Sequence, residues 1–147
     1  MSSPRAVHVL VGLITDAHGR WLVNCRPPGT SLAGWWEFPG GKWQPGESPL
    51  EALGRELAEE LGIAVLEAEP VLTLAHDYPD KRVRLDVWRV LRYRGEIAAR
   101  EGQELKWVTA GECRELKLLE ADWPIVERLE AWSLERDQQI ARLNRTS

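Results

Sequence analysis

The stretch from Ser48 to Gly62 specifies one helix so fully that the rest of the chain has to fold around it. Ser48 is a side-chain acceptor for the first free backbone N–H groups, and Pro49 takes the first helical position, where no N–H is missed. Glu51, three residues after Ser48, completes a capping box. Leu50, Leu53, Leu57 and Leu61 then follow at spacings of three, four and four, one apolar stripe that needs a surface beneath it, and Gly62 supplies a left-handed stop. The pattern predicts a helix over 49–61, about 20 Å long. About a quarter turn around from the stripe, Glu56, Glu59 and Glu60 share an acidic face, where each like-charge pair costs roughly a few tenths of a kcal/mol.

The flanking segments supply a sheet for that stripe. Val7, Val9, Val11 and Leu13 alternate with His8, Leu10, Gly12 and Ile14, which reads as a strand buried on both faces. Asp16-Ala17-His18-Gly19 turns the chain, and Trp21-Leu22-Val23 is expected to start its antiparallel partner. Pro27 to Gly34 is loop-like, and Trp35-Trp36-Glu37-Phe38 a short extended piece. Val71 to Ala75 and Val83 to Leu91 read as strands separated by Asp77-Tyr78-Pro79-Asp80, and Leu105 to Val108 as another. A final helix is expected near Asp122, with Pro124 in its first turn and Ile125, Leu129 and Trp132 on one face. Past Ser133 the chain is polar, and both a frayed extension and a partner contact are open readings.

With 147 residues, 44% of them hydrophobic, the expected organisation is one domain over 1–147, its core at about 7–132 and a polar helical extension at about 133–147. Cys25 and Cys113 are far apart and read as buried thiols of a reducing compartment. The N-terminus carries no apolar signal run and no stretch approaches the ~20 residues of a membrane span, so a cytoplasmic protein without membrane contact is expected. Nineteen basic against 23 acidic residues leave no broad cationic footprint for duplex nucleic acid, although a free nucleotide remains an open partner. Nothing specifies an oligomeric interface.

Two readings of the acidic helix compete. Glutamate is a good helix former, so a solvated face is the plain one. The alternative is a divalent cation: magnesium takes hard oxygen ligands, prefers one or two carboxylates and works together with substrate phosphates. Arg55 lies four residues before Glu59, close enough to brace it. Gly40 and Gly41 leave room for a backbone carbonyl to face a metal and for a phosphate to approach.

The spacing as a whole carries more than its parts. Gly41, five residues, Glu47, seven residues, Arg55-Glu56-Leu57, one residue, Glu59-Glu60, one residue and Gly62-Ile63 fill every fixed position of a 23-residue pattern. The segment resembles the Nudix box. With Glu37-Phe38-Pro39-Gly40-Gly41-Lys42, Tyr78-Pro79-Asp80, Glu101-Gly102-Gln103 and Asp122-Trp123-Pro124-Ile125, the chain resembles MutT-like Nudix hydrolases from about Val7 through Trp132.

That resemblance implies an α/β fold with a mixed β-sheet sandwiched between helices. It also implies a magnesium-dependent (or manganese-dependent) nucleoside triphosphate pyrophosphohydrolase of nucleotide pool sanitation, which protects DNA replication. The implied substrate is 8-oxo-dGTP or 8-oxo-GTP, attacked at the β-phosphorus to give monophosphate and pyrophosphate. Glu56, Glu59 and Glu60 match metal ligands, Gly40 the residue lending a carbonyl, and Glu101 a distal carboxylate that helps orient or deprotonate water. Arg55 matches the arginine bracing the carboxylates, and Glu47 the outer acidic residue. Arg26 matches a phosphate-contacting arginine, and Glu37 and Asp122 belong to the implied substrate site. Which of Glu56, Glu60 and Glu101 is the main base stays open.

Asp122 departs from the pattern, standing where an asparagine reads the oxidised purine in bacterial members. An ionised carboxylate accepts but cannot donate, so base preference can differ. As a plain alternative, Asp122 sits at a helix start, where the dipole favours it. Another nucleotide, such as a pyrimidine triphosphate or a nucleoside diphosphate derivative, is therefore a second reading. A non-catalytic module that reads nucleotides or damaged DNA is a third, and the intact carboxylates argue against it. Of eight tryptophans, Trp36, Trp43, Trp88 and Trp123 are candidates for a base pocket, weighed against plain core packing. His8, His18 and His76 form no cluster and receive no chemical role.

Overall fold

A computed structural model describes residues 5–145; Met1 to Pro4 and Thr146 to Ser147 lie outside the described residues. Strand β1 (Arg5–Leu13) is central, as its two apolar faces require. It pairs antiparallel with β4 (Gly40–Lys42) and parallel with β6 (Lys81–Arg94), and β6 pairs antiparallel with β5 (Ala64–Tyr78). The result is a mixed four-stranded sheet in the order β4-β1-β6-β5. A second, antiparallel sheet holds β3 (Trp36–Glu37), β2 (Trp21–Cys25) and β7 (Glu104–Val108) in the order β3-β2-β7. Helices α1 (Pro49–Leu61) and α2 (Trp123–Arg145) complete the fold, α2 following a 3-10 turn at Glu120–Asp122.

Alternation along β1 divides the core in two. Val11 and Leu13 join Trp21, Val23, Val87 and the α2 residues Ile125, Val126 and Leu129. Leu10 and Ile14 join Leu22, Val90 and the α1 residues Ala52, Leu53, Leu57 and Leu61. The sheets therefore lie between the helices, in the mixed α/β arrangement expected. Gly12 lets α1 come close: a Cβ there would stand 2.9 Å from Leu57 Cδ1.

Helix α1 has the predicted bounds and both halves of its capping box. The Glu51 N–H donates to Ser48 Oγ at 3.1 Å and the Ser48 N–H to Glu51 Oε1 at 3.2 Å, with Gly62 closing the helix at φ 73°. Leu50 is the exception. It is in phase with the stripe but 47% exposed, because the first turn has no surface beneath it.

Three other expectations need correction. β2 is not the ladder partner of β1: only an isolated bridge, Thr15 to Trp21, links the two runs. Turn chemistry at Asp16 fixes the reversal, but both edges of β1 are taken by β4 and β6, so β2 finds β7 instead. β5 and β6 extend well past the predicted runs; register shifts between Val65 and Leu72 break the alternation by which a strand is read. The polar segment after Ser133 continues as helix to Arg145, in keeping with the expected helical extension, its Arg136 guanidinium packed over Gly19. Cys113 is buried but Cys25 only half-buried; both are free, and burial holds the Cys113 thiol up at about 11. Among the described residues no helix is long and apolar enough to cross a membrane.

Candidate active site

Tight backbone packing starts the site. A Cβ on Gly40, at φ 154°, would collide with the Leu10 carbonyl oxygen, and one on Gly41 would collide with the Glu56 carboxylate. β4 therefore runs directly beneath the acidic face of α1, and the Gly40 N–H donates to Glu60 Oε2 at 3.2 Å. Arg55 braces this corner. Its Nε and Nη2 donate to the two Glu47 carboxylate oxygens at 2.7 and 2.9 Å, Nη1 to Glu56 at 2.9 Å, and Nη2 also to the Lys42 carbonyl at 3.0 Å. The pairing holds Glu47 below the usual carboxylate range. The predicted Arg55–Glu59 pair is looser, at 3.6 Å, and Glu59 remains 57% exposed.

Glu60 is the most perturbed carboxyl of the helix, pushed up to about 8 by burial, with Glu37, Glu56 and Glu101 adding like charge and the Gly40 N–H opposing the shift. Burial also raises Glu56, opposed by Arg55. Glu101 reaches this group from a distant loop stitched to the carbonyl end of α1. Arg100 N–H and Gln103 Nε2 both donate to the Glu60 carbonyl at 3.0 Å, and Gln103 Oε1 accepts from the Glu101 N–H at 2.9 Å. Glu56, Glu60 and Glu101 thus act on one another across two segments.

A cavity of about 340 Å³ opens beside them, within the size range of small-molecule sites. Glu60, Glu101 and Gly40 line it, together with Arg26, Glu37 and Asp122; Glu56 and Glu59 lie outside the lining. Arg26 Nη1 donates to both Glu37 oxygens at 3.2 Å, and its Nε donates to the Ser31 carbonyl at 2.5 Å. Burial raises Glu37 despite Arg26. Asp122 is 4% exposed and does not cap its own helix; its Oδ2 accepts instead from the Phe38 N–H at 3.3 Å. Burial, with Glu37 adding to it, pushes the Asp122 carboxyl up to about 8, so near neutral pH it is largely the acid, a donor as well as an acceptor. No tryptophan is among the lining residues, and the eight pack elsewhere.

Two site residues escaped the sequence reading. Gln103, 6% exposed, ties the Glu101 loop to α1. Asn24, also 6% exposed, lines the cavity and donates from Nδ2 to Glu37 Oε1 at 3.5 Å. An amide inside the apolar run Trp21-Leu22-Val23-Asn24 was the available signal.

Among the described residues no three His, Cys, Asp or Glu side chains close on one point as a protein-only cage would. The donors are all oxygen, however, and burial works against the charge of Glu56 and Glu60. Glu56, Glu60 and Glu101 could hold a hard cation that takes its remaining ligands from a bound phosphate.

Residues 10–128 match the model of the NUDIX domain. The chain belongs to the Nudix family. Over 102 residues it is 37% identical to the 8-oxo-dGTP diphosphatase of Proteus vulgaris, covering 69% of this chain and 91% of that one. Over 118 residues it is 37% identical to the CTP pyrophosphohydrolase of Escherichia coli, covering 80% and 87%. The solution structure of the E. coli ORF135 protein superposes with a TM-score of 0.78 at 34% identity, covering 92% of this chain and 96% of that one. The protein is a MutT-like Nudix hydrolase of the group active on nucleoside triphosphates.

Proposed function

We propose that this Nudix hydrolase cleaves oxidised purine nucleoside triphosphates, 8-oxo-dGTP or 8-oxo-GTP, to monophosphate and pyrophosphate. One observation carries the reading: a single cavity joins a buried carboxyl, Asp122, to the carboxylates Glu60 and Glu101, with Arg26 and Glu37 also lining it. The neutral acid of Asp122 offers a donor and an acceptor side by side, as the asparagine of other members does. That restores recognition of a guanine edge, which has a donor at N1 and an acceptor at O6.

Glu56, Glu60 and Glu101 would hold magnesium, and the Gly40 carbonyl and the exposed Glu59 are the further oxygen ligands that the family resemblance implies. When bound, it neutralises triphosphate charge and makes water more acidic. The chain's own groups do the rest. Arg26 keeps a guanidinium in the cavity wall with donors left for phosphate oxygens. One of Glu56, Glu60 and Glu101 takes the proton from the attacking water. Arg55, fixed by Glu47, holds Glu56 in position.

A second reading has its own support. The CTP pyrophosphohydrolase relative aligns over more of the chain than the first, and a neutral carboxyl also complements cytosine, donating to N3 while accepting from the 4-amino group. The deciding experiment offers ordinary and oxidised nucleoside triphosphates separately, with magnesium, and quantifies monophosphate, pyrophosphate and orthophosphate. A preference for 8-oxo-dGTP of at least ~100-fold in kcat/KM, about 2.7 kcal/mol, is expected. Preference for CTP selects the second reading, and equal turnover of all bases rejects sanitation. Chelation should abolish turnover and added magnesium restore it, and E60Q should lower turnover on every nucleotide.

A further inference from the structure

Asn24 is buried at the cavity wall with half of its carboxamide unused. Its Nδ2 donates to Glu37 Oε1 at 3.5 Å, which orients the amide, but Oδ1 is closed to solvent and has no hydrogen-bond donor within the protein. The strand register leaves little choice about where it faces: Asn24 stands opposite Glu37 on one side and Leu105 on the other, on the same face as the fully buried Leu22. A leucine would satisfy that position. An unpaired buried acceptor instead costs roughly 1–3 kcal/mol.

We propose that Asn24 is a specificity-determining residue whose Oδ1 accepts a hydrogen bond from the exocyclic amino group of the bound nucleobase. The inference rests on the nucleotide-hydrolase reading above and adds to it a contact to the base. Phosphate oxygens have no proton to offer, whereas an amino group does. Asn24 is bonded to Glu37 in the cavity wall that Asp122 also lines, the part that the reading above assigns to the base. Rotation about the soft terminal torsion of the amide gives up only the long 3.5 Å bond to Glu37 and turns Oδ1 toward the cavity that Asn24 lines. A site built around such a bond rejects analogues that lack the amino group, because the acceptor is then left unpaired.

The test compares nucleotide pairs with and without an amino group, dGTP against dITP and CTP against UTP, for wild type, N24L and N24A. The wild type should favour the amino-bearing member of at least one pair by about tenfold or more in kcat/KM. Both variants should reduce that ratio by at least about fivefold, chiefly through KM, while N24L melts no lower than wild type because the orphaned acceptor is gone. Should N24L fail to fold, N24A decides by the same ratios. Unchanged ratios in an active variant overturn the proposal, as does a wild type indifferent to the amino group. A uniform fall in kcat with a lower melting temperature would assign Asn24 to packing alone and also overturn it. A wild type inert on every triphosphate removes the functional reading and this inference together, so the two failures are told apart.

Discussion

Asp122 shows how burial changes what a single side chain can say. Its carboxyl is 4% exposed and receives one N–H, so the charged form is poorly compensated and the proton is kept up to about pH 8. In the unfolded chain the same group ionises near 3.8, so the native state binds more protons between those values and stability falls as pH rises through that window. D122N removes the penalty. It should flatten the decline in stability between pH 4 and 8 and raise the melting temperature at pH 7.5, read by thermal unfolding across a pH series. Base preference should also become less dependent on pH in the variant; a wild-type pH profile would show that Asp122 does not titrate there. The sequence disclosed this residue and its departure from the family pattern. It could not disclose the protonation state, which depends on Glu37 and Phe38 arriving from another strand.

At the scale of elements, the site is made where β4 passes under α1. Gly41 has no side chain at the point where the Glu56 carboxylate lies. G41A is expected to push that flexible carboxylate aside, lowering kcat by about tenfold or more for a stability loss of under about 1 kcal/mol, measured by turnover and denaturant unfolding together. Helix α1 was legible to the residue because its signals are local: a serine cap, a proline, a glutamate and a glycine, each acting within a few positions. The acidic face and Arg55 were legible for the same reason. β2 was not, since a turn fixes direction and not hydrogen-bond partners, and β5 was read too short because its bulges scramble the period. Asn24 and Gln103 were assigned no role because each owes it to a partner in another segment, Glu37 and Glu60.

The molecule as a whole is two apolar clusters separated by the sheets. One lies under α1 and includes Ile63; the other lies under α2 and includes Ile125. I63V and I125V should each cost about 0.5–1.5 kcal/mol, and the double variant should equal their sum to within about 0.5 kcal/mol in denaturant titrations. A larger discrepancy would mean that the clusters communicate through β1. Seven of the eight tryptophans, all but Trp35, belong to this packing, and none lines the cavity; Trp21 and Trp132, for instance, meet at 5.8 Å beneath the Arg89 guanidinium. Indole emission is therefore a gauge of global integrity that ligand occupancy leaves largely undisturbed. A melting curve followed at that wavelength can be recorded with nucleotide present, and its displacement will report affinity without any label.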